Sequence, residues 1–339
     1  MVSAAAPAVG DVTARAGLLA QVVRGDLVES AHLGHLVVLD AAGDTLLAVG
    51  DPDAVIYPRS SLKPVQAVAS LRHGFTPGDD RLLALAASSH NGEPAHLDGV
   101  RAILAGVGLG VDALRNTPDV PLHPPAALAW HDAGRGPEPL AQNCSGKHAA
   151  MLAACVAQGW DTETYLDPTH PLQVAVAAAV AELTGDVAAP HVTVDGCGAP
   201  LLSTSLRGLA RAFAQIAAAP AQSPEARVAR AMAAHPEMVA GTGRDATAAM
   251  RAVPGLVCKD GAEGVYAGAL PGGRGAFALK VLDGGSRPRP AILAAALRAA
   301  GALDVPGVDA AALAALGDVP VLGHGRPVGS VRVTFACAA

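Results

Sequence analysis

The sequence predicts an α+β fold in which one antiparallel sheet is assembled from both chain ends and a helical middle is inserted between them. Three observations carry this expectation. Short apolar runs with turn signals fill the stretch up to Asp51 and return after Gly255. The stretch between them has apolar residues at helical spacing. Strands and helices are segregated rather than alternating, which argues against a doubly wound sheet. The 339 residues are expected to form a single domain of two lobes: a sheet lobe of about 12–55 plus 255–337, and a helical lobe of about 58–254.

Taken in order, Leu19–Val23, Leu36–Asp40 and Thr45–Val49 read as strands, with Ala41-Ala42-Gly43-Asp44 as a hairpin turn. The run Tyr57-Pro58-Arg59-Ser60-Ser61-Leu62-Lys63-Pro64 then reads as a helix start. Pro58 discourages helix upstream, Ser60 is a capping residue, Pro64 falls early enough to cost little, and Gly74 suits a left-handed stop. Further helices are predicted at about 79–88, 94–107, 145–158, 170–184, 200–218, 224–239 and 244–252. Ser223-Pro224-Glu225 supplies a cap, a first-turn proline and an acidic first turn, while Gly159 and Gly185 mark stops. Asn116–Pro139 is rich in Gly and Pro, lacks periodicity, and reads as a long active-site loop. Strands return at Gly255–Cys258, Val265–Leu270 and Ala276–Leu282; a helix over Pro290–Ala300 and strands at Val319–Leu322 and Val328–Phe335 follow.

Hydrophobic residues make up 51% of the chain but aromatics only 3%, so the core must be built from Ala, Leu and Val with helices packed closely. The formal net charge of -6, with no Lys/Arg-rich run, argues against a nucleic-acid partner. Met1–Gly10 lacks a basic n-region, Asp11 and Arg15 interrupt it, and no apolar run approaches the length needed to cross a bilayer. A cytoplasmic protein with no membrane partner is expected. Cys144, Cys155, Cys197, Cys258 and Cys337 are scattered and odd in number, so they are expected to be free thiols or metal ligands rather than a disulfide framework. Cys155 and Cys337 are assigned to packing.

The chemistry starts at Ser60 and Lys63. Three residues apart on one helix, a hydroxyl and an amine would lie on neighbouring turns and could share a proton, provided that burial or nearby cations lower the lysine pKa. An N-cap serine followed by a solvated lysine is the bland alternative. Ser89-His90-Asn91 and Lys259-Asp260-Gly261 follow in the order in which penicillin-recognising serine hydrolases place Ser-x-x-Lys, Ser-Asp-Asn and Lys-Thr-Gly. In Asn143-Cys144-Ser145-Gly146-Lys147-His148, a cysteine at a helix start beside a lysine suits a nucleophile, a metal thiolate or a small buried hydrophobe. Asp195-Gly196-Cys197 puts a second cysteine at a strand end, although two thiolates alone fall short of the roughly four ligands zinc requires.

Together with His235-Pro236-Glu237-Met238-Val239-Ala240-Gly241, these runs closely resemble the class 3 L-asparaginases, also called the asparaginase II or thermolabile family, over about residues 15–335. The resemblance implies a β-lactamase-like, penicillin-binding-protein-like fold and a homodimer that hydrolyses L-asparagine to aspartate and ammonia. It implies two catalytic Ser-Lys tandems, here Ser60 with Lys63 and Ser89 with Lys259. It also implies a zinc ion near the cleft, held by Cys144, Cys197 and Lys147, with Asp195 close to the substrate. On this reading Ser60 attacks the side-chain amide as neutral Lys63 takes its proton, and Ser89 relays a proton to the departing ammonia. Arg59 is a candidate for the substrate α-carboxylate or a surface cation, and Asp195 for the α-amino group or for orienting Lys147. His90, Asn143 and His148 are candidate substrate-binding residues, the histidines being equally accountable as core residues. A glutaminase, a penicillin-recognising hydrolase and a non-catalytic zinc-binding assembly protein are the rival readings.

Overall fold

The computed structural model describes residues 11–187 and 190–335, so Met1–Gly10 and Cys337 lie outside the described residues. The chain opens with an antiparallel meander of β1 (Gly17–Arg24), β2 (Leu27–Asp40) and β3 (Thr45–Val49). The Asp40 carboxylate closes the β2–β3 turn by accepting from the N–H groups of Ala42 and Asp44, each at 2.9 Å. β2 starts well before the apolar run at Leu36, because Leu27–Ala31 are exposed and carry no buried face for the pattern to register.

After the short β4 (Val55–Ile56), Arg59–Leu62 form a single 3-10 turn and α1 (Lys63–Arg72) begins only at the lysine. Leu62 occupies the N-cap position and the cap makes no side-chain bond, so Ser60 is not the helix cap. The two prolines flanking the turn account for this: Pro64 sits in the first turn of the helix, where its missing N–H is harmless. Then come α2 (Asp80–Ala86), α3 (Pro94–Ala105), α4 (Pro124–Asp132), α5 (Ser145–Gln158) and α6 (Pro171–Thr184). The expected loop over Asn116–Pro139 thus contains α4. Trp130 is its sole buried residue, which leaves the helix without an apolar stripe to read.

The predicted helix over 200–218 divides into β6 (Pro200–Leu202), which pairs with β5 (Val192–Val194), β7 (Thr204–Ser205), and α7 (Leu206–Ala218). Ser205 starts α7 by accepting from the Gly208 N–H, and β7 pairs with β4. The predicted helix over 224–239 breaks at Pro236 into α8 (Pro224–Ala234) and α9 (Pro236–Val239), followed by α10 (Asp245–Ala252).

The remaining strands are β8 (Val257–Asp260), β9 (Val265–Ala269) and β10 (Gly275–Val281), and after α11 (Arg289–Ala299) and α12 (Ala310–Gly317) come β11 (Pro320–Gly323) and β12 (Arg326–Val333). The main sheet runs β11-β12-β1-β2-β10-β9-β8, with β3 also on β2, and every pair in it is antiparallel. The first and last strands are therefore neighbours, as an α+β sheet built from both ends requires. α7 packs on β2, β9 and β10, and α11 on β10 and β12. One buried apolar cluster runs continuously from the sheet through the helices. Among the described residues no helix is long and apolar enough to cross a membrane.

Candidate active site

The Ser60 turn is held against the end of β8. Ser61 Oγ donates to the Lys259 carbonyl at 3.0 Å, and Gly261 lets the two backbones meet, since a Cβ there would lie 2.6 Å from the Pro58 carbonyl oxygen. Arg59 takes a left-handed conformation, φ 53°, which is uncommon for a residue with a Cβ and turns the chain sharply just before Ser60. Ser60 is half-buried, whereas Lys63, Ser89 and Lys259 are buried.

The four predicted catalytic residues are thus brought to one region, but the hydrogen bonding differs from the expected pairs. Lys63 Nζ donates to the Ser88 carbonyl at 2.5 Å and to Ser89 Oγ at 3.0 Å. Lys259 Nζ donates to the Asp260 backbone oxygen at 2.7 Å and to its carboxylate at 2.6 Å. Among the described residues Ser60 makes no side-chain hydrogen bond, and Ser89 bonds Lys63, not Lys259. Two physical reasons account for the exchange. The helix starts at Lys63, so Ser60 and Lys63 do not share an α-helical face, and a carboxylate binds an ammonium more strongly than a neutral hydroxyl does. Burial is the main cause lowering the Lys259 pKa to about 8; Asp260 opposes it, while Lys63 and Arg244 reinforce it.

The predicted substrate-binding residues separate into two groups. Arg59 and Asp195 face each other, with Arg59 Nε donating to the Asp195 carboxylate at 2.8 Å. A cleft of about 600 Å³ opens beside Arg59 and is lined also by Tyr57, His191, Thr193, Glu263 and Lys280. The half-buried Asn143 receives the Cys144 thiol at 3.1 Å through its side-chain oxygen, and its carbonyl accepts from the His90 N–H.

The two histidines are both buried. His90 is fully buried; its Nδ1 accepts from the Gly92 N–H at 3.1 Å and its Nε2 meets Ser145 Oγ at 2.9 Å, so both ring nitrogens are engaged within the protein. His148 is equally buried, with Nδ1 2.8 Å from the Tyr165 hydroxyl. Burial, and then the adjacent Lys147 charge, lower its pKa to about 4, so it is neutral near physiological pH.

Cys144, Cys197 and Lys147 do converge. Gly146 lets the start of α5 sit directly on the Leu85 carbonyl, and the buried Lys147 amine donates to Cys197 Sγ at 3.1 Å. The Cys144 thiol and the Lys147 charge hold Cys197 well below the usual thiol range, as a thiolate, while contact with Cys197 and burial push the Cys144 thiol up. Burial works against the Lys147 charge, but Cys197 and Cys144 outweigh it and raise its pKa. Among the described residues no three His, Cys, Asp or Glu side chains gather as a metal group. Two sulfurs and an amine nevertheless converge here, a donor set that fits a borderline-soft cation once Lys147 gives up its proton.

Two charged residues that contact this region were not assigned from sequence. Asp260 accepts from Lys259 and also from Arg244 at 2.6 Å, and Arg244 reaches the Ser89 carbonyl at 3.4 Å. The Lys259-Asp260 adjacency was a visible signal for the former, whereas nothing local marks Arg244.

The solved structures similar to this chain are remote. They include Mglu in its native form, at 17% identity and TM-score 0.33 over 74% of this chain and 59% of Mglu, so the match spans less than two thirds of that chain. EstCE1, described as a hydrolase with promiscuous acyltransferase activity, matches at 12% identity and TM-score 0.38 over 73% of this chain and 88% of its own. A β-lactamase from Mycobacterium bovis matches at 15% identity and TM-score 0.33 over 84% of this chain and 95% of its own. No curated protein matches the chain. The family model for L-asparaginase II matches residues 20–333, which takes in Ser60, Lys63, Ser89, Cys144, Lys147, Cys197 and Lys259, and the chain therefore belongs to the L-asparaginase II family.

Proposed function

We propose that this chain is an amidohydrolase that cleaves the side-chain amide of L-asparagine to aspartate and ammonia through an acyl-enzyme on Ser60. The observation that carries this reading is the buried Lys63 amine, three residues along the chain from the half-buried Ser60 and 3.0 Å from Ser89 Oγ. Lys63 in its neutral form takes the Ser60 proton as the oxygen attacks the amide carbon, and backbone N–H groups of the Ser60 turn stabilise the oxyanion. Collapse of the tetrahedral species breaks the C–N bond, and the proton returns through Ser89 to the departing ammonia. Water then attacks the ester as Lys259 takes its proton, and that proton passes to Ser60 as aspartate is released.

Arg59 and Asp195, one cation and one anion already paired with each other, match the α-carboxylate and α-ammonium of an amino acid. Cys144, Cys197 and Lys147 would hold a zinc ion, whose charge would help to orient substrate when bound. The chain is also proposed to be a homodimer, which light scattering would test. The deciding experiment is ammonia release from asparagine and from glutamine by the purified protein and its Ser60→Ala variant. Preference for asparagine with loss of turnover in the variant is the expected result; retained turnover would remove Ser60 as nucleophile, and preference for glutamine would replace the substrate.

A further inference from the structure

Resting on that reading of the site, we propose that Asp260 is a positioning residue that ties the two lysines of the cleft together, holding Lys259 directly and the Ser89 segment through Arg244. Asp260 ends β8 and is 5% exposed, so its carboxylate has little water to satisfy it and must be satisfied by protein. One oxygen takes Lys259 Nζ at 2.6 Å and the other takes Arg244 Nη2 at 2.6 Å, while Arg289 stands 3.9 Å away. Arg244 uses its other terminal nitrogen on the Ser89 carbonyl at 3.4 Å and on Asn91 Oδ1 at 3.3 Å. Ser89 Oγ in turn receives Lys63 at 3.0 Å. A continuous chain, Lys63–Ser89–Arg244–Asp260–Lys259, therefore joins α1, the Ser89 loop and β8.

The arrangement is electrostatically one-sided. Lys259, Arg244 and Arg289 converge on Asp260, and Lys63 adds a further cation across the cleft. Asp245 on α10 takes Arg289 at 2.9 Å, so that arginine is shared between two carboxylates. Tyr266 on β9 and Cys258 on β8 complete the surroundings; burial raises both of their pKa values, so they add no charge near neutrality. Asp260 is thus the anion common to the lysine and both arginines. Without it the Lys259 amine would lose its aim and the Ser89 segment its tether, while Lys63 would keep its own bonds.

The test compares pH–rate profiles of Asp260→Asn and Arg244→Gln with the wild type, using asparagine hydrolysis. Removing the anion beside Lys259 favours its neutral form, so the rise in rate of Asp260→Asn should move to lower pH, with kcat down about 10²-fold from misplacement and KM less affected. Removing the cation in Arg244→Gln favours the ammonium, so that rise should move to higher pH. A role confined to folding would not displace the two profiles in opposite directions. Midpoints left at the wild-type value, or displaced together, would overturn the inference. If Asp260→Asn does not yield folded protein, Arg244→Gln decides alone: a rise moved to higher pH supports the tie, and an unmoved one removes it. Ser60→Ala is assayed in parallel. If that variant keeps turnover, the functional reading fails irrespective of Asp260; if it is inactive and both profiles are unmoved, only the present inference falls.

Discussion

Lys259 and Lys147 are both buried lysines at the ends of regular elements, yet their environments push them in opposite directions. Around Lys259, burial and two further cations outweigh Asp260 and lower the pKa to about 8. Around Lys147, the two cysteine sulfurs outweigh burial and raise it. Burial disfavours the ammonium in both places, so the neighbours decide the sign. The stability consequences are opposite too. Lys259 binds fewer protons folded than unfolded between about 8 and its usual 10.5, so its contribution to stability grows as pH rises through that window. The contribution of Lys147 is fully present below 10.5 and is lost as pH climbs through its raised value. One region keeps an amine available as a base, and the other keeps a thiolate supplied with a proton donor.

The largest expected effects come from breaking the first region. Ser60→Ala should abolish turnover, and Lys63→Met should lower kcat by about 10²- to 10⁴-fold, the ordinary worth of a general base. Circular dichroism and Tm should show both variants folded. The wild-type rate should rise with pH toward about 8 and then flatten, because a protonated Lys259 cannot take the proton of the hydrolytic water. A profile flat from acid to alkali would contradict an amine base.

Intermediate effects are expected from the second region. Cys197→Ser removes the thiolate that balances Lys147, so the amine should shed its proton more readily while one of two sulfur donors is lost. Elemental analysis of protein purified without chelator should find about one zinc per chain in the wild type and much less in this variant. Chelation should raise KM more than it lowers kcat, since Ser60 and Lys63 need no Lewis acid for acyl transfer. Full zinc content in Cys197→Ser would contradict the assignment of that thiolate.

The legibility of these regions in the sequence follows from how far their contacts reach. The segregated strands and helices were readable because their apolar periodicities are local, and so were the Ser, Lys and Cys residues at element ends. The exchange of partners was not. Lys63 meets Ser89, and Asp260 meets Arg244, through tertiary packing that no spacing rule encodes. Burial of His90 and His148 was equally hidden, since a histidine next to a motif looks the same whether it faces the cleft or the core. The helix expected over 200–218 failed for a different reason. Pro200–Ser205 carries apolar residues that fit a helical face, but β5 and β4 supply strand partners for them.

The smallest expected effects test how each region is seated, through one glycine apiece. At Gly261 a Cβ would lie 2.6 Å from the Pro58 carbonyl oxygen and 2.9 Å from Ser61 Oγ, across the seam that sets the Ser60 turn on β8. At Gly146 it would meet the Leu85 carbonyl under the start of α5, which carries Lys147. Neither glycine has a positive φ, so alanine is acceptable to the backbone at both positions and the cost is overpacking alone, about 1–3 kcal/mol. Thermal unfolding should therefore register similar modest losses in Gly261→Ala and Gly146→Ala. Their functional readouts should separate. Gly261→Ala displaces the nucleophile relative to Lys259 and should lower kcat with zinc content intact, whereas Gly146→Ala shifts Lys147 away from Cys197 and should lower zinc content with a smaller loss in kcat. If both variants lose kcat and zinc in the same proportion, the two regions are mechanically one, and the contrast between Lys259 and Lys147 has no separate structural basis.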